Sequence, residues 1–130
     1  MEQLKLIFQG KALKMDIQKL KIELRKFSND REWEQFHTPK NLVMALSVET
    51  AELVEIFQWL SEKESLLTNL SDENIIRVKE EVADILIYII RLSDILKINL
   101  DKAISDKIKV NREKYPIEIS KGNSTKYNRR

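Results

Sequence analysis

The chain has 130 residues, of which 42% are hydrophobic and 34% charged, and these values predict one domain with a real core. Its 23 basic and 21 acidic residues leave a formal net charge of +2, so no general attraction to nucleic acid or to membrane surfaces is expected. The absence of cysteine excludes disulfide scaffolds and cysteine nucleophiles, and the presence of only two glycines excludes Gly-rich phosphate loops.

The first two predicted helices cover residues 12–26 and 39–60. The first is indicated by apolar residues that recur at steps of three and four. The second follows a helix-start signal in which Thr38 is the N-cap and Pro39 occupies the first helical position.

The last two predicted helices cover residues 71–97 and 99–114. The third begins near Ser71, and the fourth begins at an Asn99 cap and is stopped by Pro116. Short connections between the four helices predict an antiparallel bundle, so the expected fold class is all-α.

Residues 85–90 are apolar without interruption. Taken alone, this run also fits a buried strand, but the charged residues around it and the length of the segment favour a helix. A helix that is apolar on every side needs neighbours on every side. We expect either a central helix wrapped by the other three or, by preference, a helix that also packs against a partner subunit of an oligomer.

No targeting segment is visible in the sequence. Residues 1–10 do not read as a signal peptide, because Glu2 and Lys5 interrupt any apolar stretch, and no run approaches the ~20 residues that span a bilayer. A cytoplasmic protein with no membrane partner is expected. Residues 12–116 form the predicted core of the domain, and residues 117–130 a basic, flexible tail.

Two pairs of acidic residues interrupt the apolar stripes of the second and third helices. Glu49 and Glu52 form one pair, and Glu81 and Asp84 the other. Residues three apart lie only ~60° apart around a helix, so both members of each pair project to one side. Asp84 lies in the most apolar part of the chain, where an ionised carboxylate is costly unless it is paired or coordinated.

Antiparallel packing of these two helices would bring the four acids together, and their repulsion would then require a divalent cation. Oxygen ligands without Cys or His favour Mg²⁺, with Mn²⁺ as a substitute. A di-iron site of Glu-x-x-His pairs is disfavoured because neither helix contains histidine. The alternative is that the acids are surface charges in salt bridges with Arg77, Lys79 or Arg91.

Aromatic residues follow the acids in both helices. Trp59 and Tyr88 each stand seven residues after a glutamate and so continue the same stripe. There they could stack a base, although the spacing alone slightly favours core aromatics. Trp33 and the only histidine, His37, lie in the connector before the second helix, where they suit a planar ligand or a plug at the end of the bundle. Lys107 and Arg112 in the last helix are candidates for anchoring phosphate.

Four segments together resemble the MazG-like all-α nucleoside triphosphate pyrophosphohydrolases, and most closely their dCTP pyrophosphatase branch. They are REWEQFH at residues 31–37, the stretch from Glu49 to the FQW at residues 57–59, EEVADILIY at residues 80–88, and KxxxNRxxYP at residues 107–116. The resemblance covers approximately residues 27–116.

The resemblance implies roles for individual residues. Glu49, Glu52, Glu81 and Asp84 would be catalytic Mg²⁺ ligands. Further residues would bind the nucleotide: Trp33, His37, Trp59 and Tyr88 would contact the nucleoside, and Lys107, Asn111 and Arg112 would hold phosphate oxygens. Leu24 replaces a histidine that contacts the substrate in eukaryotic members, which affects base or sugar preference but not metal chemistry.

The implied reaction is Mg²⁺-dependent hydrolysis of dCTP or a modified dCTP to the monophosphate and pyrophosphate, in the service of cleaning the nucleotide pool. The implied assembly is a homotetramer, such as a dimer of dimers, with no nucleic acid polymer as partner. Two alternatives remain at this point. One is a nucleotide-binding protein without turnover, and the other is a purely structural helical oligomer.

Overall fold

The computed structural model describes residues 14–129, and all regular secondary structure within them is helical, which confirms the all-α prediction. The α-helices, in chain order, are α1 (Ile17–Asp30), α2 (Pro39–Phe57), α3 (Asp72–Ile95), α4 (Leu100–Lys114) and α5 (Ile117–Ser120). Two short 3-10 helices, Glu34–Phe36 and Tyr127–Arg129, complete the described elements.

The starts of three helices match the predicted N-caps. Side-chain oxygens of Thr38, Ser71 and Asn99 each accept a hydrogen bond from the backbone N–H three residues later, at 3.2, 3.1 and 3.1 Å. Each cap satisfies one of the backbone donors that a helix start leaves unpaired. These bonds fix where α2, α3 and α4 begin.

The first helix was predicted at residues 12–26, and both bounds are wrong. Residues 12 and 13 lie outside the described part of the chain, and residues 14–16 are not helical. The helix begins after Asp16, whose carboxylate accepts the N–H of Lys19 at 3.1 Å, and it continues to Asp30. The apolar spacing indicated the helix but did not reveal this cap.

The ends of α2 and α3 come earlier than predicted, at Phe57 and Ile95. Lys97 adopts a left-handed backbone, with φ of 56°, and this conformation stops α3. Between α2 and α3, residues 58–71 form a connection of successive turns. The prediction of short connections is therefore wrong for this pair of helices.

The chain divides into two compact units, one up to Leu96 and the other from Lys97. In the first unit, α3 packs against both α2 and α1. His37, just before α2, meets Arg91 near the end of α3, whereas Glu49, further along α2, meets Glu81 near the start of α3. The two helices are therefore antiparallel, as predicted.

The buried apolar side chains of the described residues belong to this first unit: Leu42 and Ile56 from α2 and Ile90 from α3. Of the apolar run at residues 85–90, only Ile90 is fully buried, and Ile87 remains 42% exposed. The run is helical as predicted, but the described chain does not cover all of its sides.

The second unit contains α4 and α5. Tyr115 and Tyr127 meet edge to face with their ring centroids 6.0 Å apart, and the Lys114 ammonium lies 4.7 Å from the centre of the Tyr127 ring. The segment predicted as a flexible tail thus includes α5, a 3-10 helix and an aromatic contact. Its flexibility, the single domain and the closing of a four-helix bundle stay predictions.

None of the helices within residues 14–129 combines the length and the apolar character that crossing a membrane requires.

Candidate active site

Three of the four predicted acids form a cluster between α2 and α3. Glu49 and Glu52 project from one turn of α2, and Glu81 faces them from α3. Each offers one carboxylate oxygen, and these oxygens all lie within 4.8 Å of one another. Asp84 lies outside this triplet, but its charge acts on both Glu49 and Glu81.

The cluster is electrostatically unfavourable in the absence of a cation. Desolvation, together with hydrogen bonding to Glu52 and Glu81, raises the pKa of Glu49 to about 7. Desolvation is also the largest cause that raises the pKa of Glu81. The Oε2 atom of Glu81 is buried and has no hydrogen-bond partner within the described chain. Carboxylate oxygens this close together, one of them without a hydrogen-bond partner, are suitable ligands for a divalent cation.

Asp84 does not have the buried position that the sequence predicts. It is exposed, although it lines the cleft described below together with residues of α1 and α2. The cost of burying an ionised carboxylate therefore does not arise for Asp84 in the single chain.

The alternative in which the acids form ordinary surface salt bridges is not what the structure shows. The ion pairs among residues 14–129 include Arg25–Asp94, Lys26–Asp30, Arg91–Asp94 and Lys102–Asp106. None includes one of the four acids. Arg91, which was a candidate partner for them, pairs with Asp94 instead.

We expect the metal-free protein to lose stability as the pH rises from about 4.5 to above 7. The folded chain keeps the Glu49 proton up to about pH 7, whereas the unfolded chain releases it near the ordinary pKa of 4.5. The unfolded state therefore loses its proton first, and rising pH favours it across this window. Thermal unfolding in a chelator, followed by circular dichroism at several pH values, measures this. Glu49→Gln should flatten the trend, and a melting temperature that rises through the window would contradict the expectation.

A cleft of about 310 Å³ opens beside the acids within the first unit. Glu49 and Asp84 form its acidic part, and Leu24, Phe27 and Ile87 contribute its apolar wall. The remaining residues that line it are Ser28, Trp33, His37, Tyr88 and Arg91. An apolar cleft with a few polar groups and one carboxyl group, that of Glu49, whose pKa is raised is typical of a ligand site.

The aromatic residues of the cleft hold one another in place. The Trp33 ring packs edge-on against Phe27, with centroids 5.7 Å apart, and against His37 at 6.2 Å. The pKa of Tyr88 is raised by desolvation and by the negative charges of Glu49 and Asp84. Three of the four predicted nucleoside contacts, Trp33, His37 and Tyr88, therefore share one cleft with two of the acids.

Trp59 does not join them. It lies in the turn after α2, is 87% exposed and is not part of the cleft wall. Its predicted position on the stripe of Glu52 is wrong because α2 ends at Phe57, and the alternative of a core aromatic is wrong as well.

Lys107, Asn111 and Arg112 all lie on α4, in the second unit, and are exposed there. Their contact with phosphate stays a prediction.

A polar chain behind the cleft was not predicted from the sequence. Arg25 donates to Asp94 through Nε at 3.0 Å and through its terminal NH2 group at 2.6 Å. Arg91 donates to the same carboxylate at 3.1 Å and to Nδ1 of His37 at 3.2 Å. The opposite charges of Arg91 and Asp94, three residues apart in a helix, were the available signal. The link to His37 joins distant parts of the sequence and left no local signal.

This chain is similar to known proteins in sequence and in fold. The MazG-like family model matches residues 44–129. The chain is 38% identical to dCTP pyrophosphatase 1 of Rattus norvegicus over 112 residues, which are 86% of this chain and 64% of the rat protein. It is also 38% identical to the Bos taurus protein of the same name over 120 residues, 92% of this chain and 69% of that one. The chain thus spans about two thirds of the length of these relatives.

A solved structure shows the same fold. The crystal structure of a pyrophosphatase from Archaeoglobus fulgidus superimposes with a TM-score of 0.72 and is 39% identical in sequence. The match covers 81% of this chain and 96% of the archaeal chain.

Proposed function

The chain belongs to the MazG-like family, and from this premise we propose that it hydrolyses a nucleoside triphosphate, dCTP or a modified dCTP, to the monophosphate and pyrophosphate. The observation that carries the proposal is the cluster of Glu49, Glu52 and Glu81 at the edge of an aromatic cleft. The names of the mammalian relatives and of the archaeal neighbour support the reaction and the substrate.

Glu49, Glu52, Glu81 and Asp84 would hold the divalent cation, Mg²⁺ or its substitute Mn²⁺. The buried, unpartnered Oε2 of Glu81 and the raised pKa of Glu49 support this assignment, since both are relieved by a cation. Bound Mg²⁺ would neutralise phosphate charge and lower the pKa of a coordinated water.

The cleft residues would orient the nucleotide. Trp33 and Tyr88 offer aromatic surface to the base or sugar, and His37 offers a polar ring atom. Leu24 lines the same wall and narrows it with an apolar side chain. Trp59, Lys107, Asn111 and Arg112 would complete the substrate contacts, the last three at the phosphates.

Hydrolysis adds water across the α–β phosphoanhydride bond and releases pyrophosphate. The proton of the attacking water must pass to a nearby base, and Glu55 and Glu80 are the candidates beside the cluster. Both are exposed, Glu55 on α2 and Glu80 on α3, each next to or three residues from a member of the cluster in sequence.

We also propose that the chain assembles as a homotetramer. Several large apolar side chains of α2 and α3 are about half exposed: Val43, Met44, Val48 and Val54 on α2, and Ile76 and Val82 on α3. A single chain with this much apolar surface would tend to associate. Sedimentation equilibrium should give four times the monomer mass, and a monomer at micromolar concentration would refute the assembly. A cytoplasmic location remains part of the proposal.

The test of function is a pyrophosphate-release assay across the common nucleoside triphosphates and 5-methyl-dCTP, with Mg²⁺, with Mn²⁺ and with chelator. We expect metal-dependent release that is fastest for a cytosine deoxynucleotide. Silence across the panel from a folded protein that still binds dCTP would favour the nucleotide-binding alternative. Silence without binding would favour a structural oligomer.

A further inference from the structure

His37 lies at the end of a chain of hydrogen bonds that starts outside the cleft. Arg25, whose side chain is 52% exposed, donates hydrogen bonds to Asp94, and the same carboxylate accepts a hydrogen bond from Arg91. The side chains of Asp94 and Arg91 are only 9% and 6% exposed. Arg91 then donates from Nε to Nδ1 of His37, a ring that lines the cleft.

The direction of the last bond follows from the chemistry of arginine. A guanidinium group carries only donors and stays protonated in proteins. The Nδ1 atom of His37 must therefore be the acceptor and carry no proton. The proton of a neutral imidazole then lies on Nε2, which has no hydrogen-bond partner among residues 14–129.

We infer that Arg91 is a positioning residue that locks His37 as the neutral Nε2–H tautomer, so that the cleft presents a fixed hydrogen-bond donor to the nucleobase. This inference rests on the proposed function for the identity of the ligand. The tautomer itself does not depend on any activity.

The surroundings of His37 agree with a neutral ring. Desolvation and the charge of Arg91 lower its pKa, while the charge of Glu34 opposes them. The hydroxyl of Ser28 lies 3.3 Å from the same Nδ1 and can only donate to it in this tautomer. Two further titratable groups, Glu49 and Asp84, line the same cleft.

A fixed N–H donor selects the edge of the base that faces it. A carbonyl oxygen or an unprotonated ring nitrogen can accept from Nε2–H, whereas an exocyclic amino group cannot. The pyrimidine edge with O2 and N3 of cytosine satisfies this requirement. The 4-amino group of cytosine must therefore face another part of the site.

Because the chain has one histidine, ¹⁵N NMR of imidazole-labelled protein reports on His37 alone. At neutral pH we expect Nδ1 to resonate as an unprotonated nitrogen and Nε2 as a protonated one. Saturating dCMP, the expected product, should shift the Nε2–H signal, and inorganic pyrophosphate should not. A protonated Nδ1 in the free protein would overturn the inference, as would an Nε2 signal that dCMP leaves unchanged although dCMP binds.

Variants separate positioning from folding. Arg91→Met removes the donor, and we expect both tautomers to appear and the KM for dCTP to rise about tenfold while kcat changes little. Arg25→Met removes the exposed end of the series of hydrogen bonds and should shift the ¹⁵N signals of His37 in the same direction. This variant provides the test if Arg91→Met does not fold. Arg77→Met, on α3 like Arg91, is the matched control, since Arg77 is exposed and lies far along the helix from these hydrogen bonds.

The outcomes distinguish the two proposals. If pyrophosphate release fails but Nδ1 is unprotonated in the wild type and becomes protonated in Arg25→Met, the proposed reaction is wrong and the tautomer lock stands. If release is normal but both arginine variants leave the ¹⁵N signals and the KM unchanged, the lock is wrong and the reaction stands.

Discussion

Replacing Glu81 by Gln is expected to lower kcat/KM for metal-dependent pyrophosphate release by at least about a hundredfold. Glu81 is the member of the cluster on α3 that faces both glutamates of α2, and its Oε2 is buried without a partner. The amide keeps the size of the side chain but removes one negative oxygen from the site that would hold the cation.

The same substitution should leave the fold intact. Removing a charge from a group whose pKa is raised by desolvation relieves the metal-free protein, so its melting temperature should rise slightly. Steady-state kinetics over a Mg²⁺ titration and melting curves with and without Mg²⁺ give both values. Glu73→Gln, an exposed acid in the first turn of α3, is the matched control. Activity of Glu81→Gln within about threefold of wild type would exclude Glu81 from the metal site.

Replacing Asp94 by Ala is expected to lower the free energy of unfolding by about 3–5 kcal/mol. Asp94 accepts from Arg25 and Arg91, and without it the Arg91 guanidinium remains buried with no counter-charge. The hydrogen bond from Arg25 lowers the pKa of Asp94, so this contribution is present above its ordinary pKa and is lost as the pH falls through the lower value.

Two further variants make the second prediction specific. Asp106→Ala breaks the exposed Lys102–Asp106 pair and should cost less than about 1 kcal/mol, because water screens that interaction. Replacing both partners, Arg91→Met with Asp94→Leu, should restore most of the loss, since the buried Arg91 charge is removed together with its counter-charge. Urea unfolding of the four proteins measures these differences. A cost for Asp94→Ala no larger than that for Asp106→Ala would show that the buried network contributes little.

The sequence predicted helix starts better than helix ends. A start depends on one local residue, and Thr38, Ser71 and Asn99 each form the expected cap. The predicted end of the last long helix at Lys114, before Pro116, is confirmed. The ends of α1 and α3, in contrast, are followed by residues in the left-handed conformation, Glu32 and Lys97, at positions where glycine is usual. Nothing local in a lysine or a glutamate signals that backbone.

The parts of the site that depend on local sequence were predicted, and the parts that depend on contacts between distant elements were not. Pairs of acids at i, i+3 fix their own direction, and antiparallel packing then brought Glu49, Glu52 and Glu81 together. The exposure of Trp59 depends on where α2 ends, which periodicity does not give, and the exposure of Asp84 depends on tertiary packing. The Arg91–His37 bond crosses from α3 to the start of α2 and depends on tertiary structure alone.

The carboxylate cluster also bears on how such a chain evolves. The raised pKa values of Glu49 and Glu81 mean that these two glutamates destabilise the metal-free fold, and on the proposed function they are useful only when a cation and a substrate are present. Most substitutions that abolish chemistry harm a protein twice, but here a loss of function at Glu49 or Glu81 would be accompanied by a gain in stability. Selection for the amount of folded protein alone would therefore favour the loss of these glutamates. Descendants that no longer need the proposed activity would persist as well-folded binding proteins.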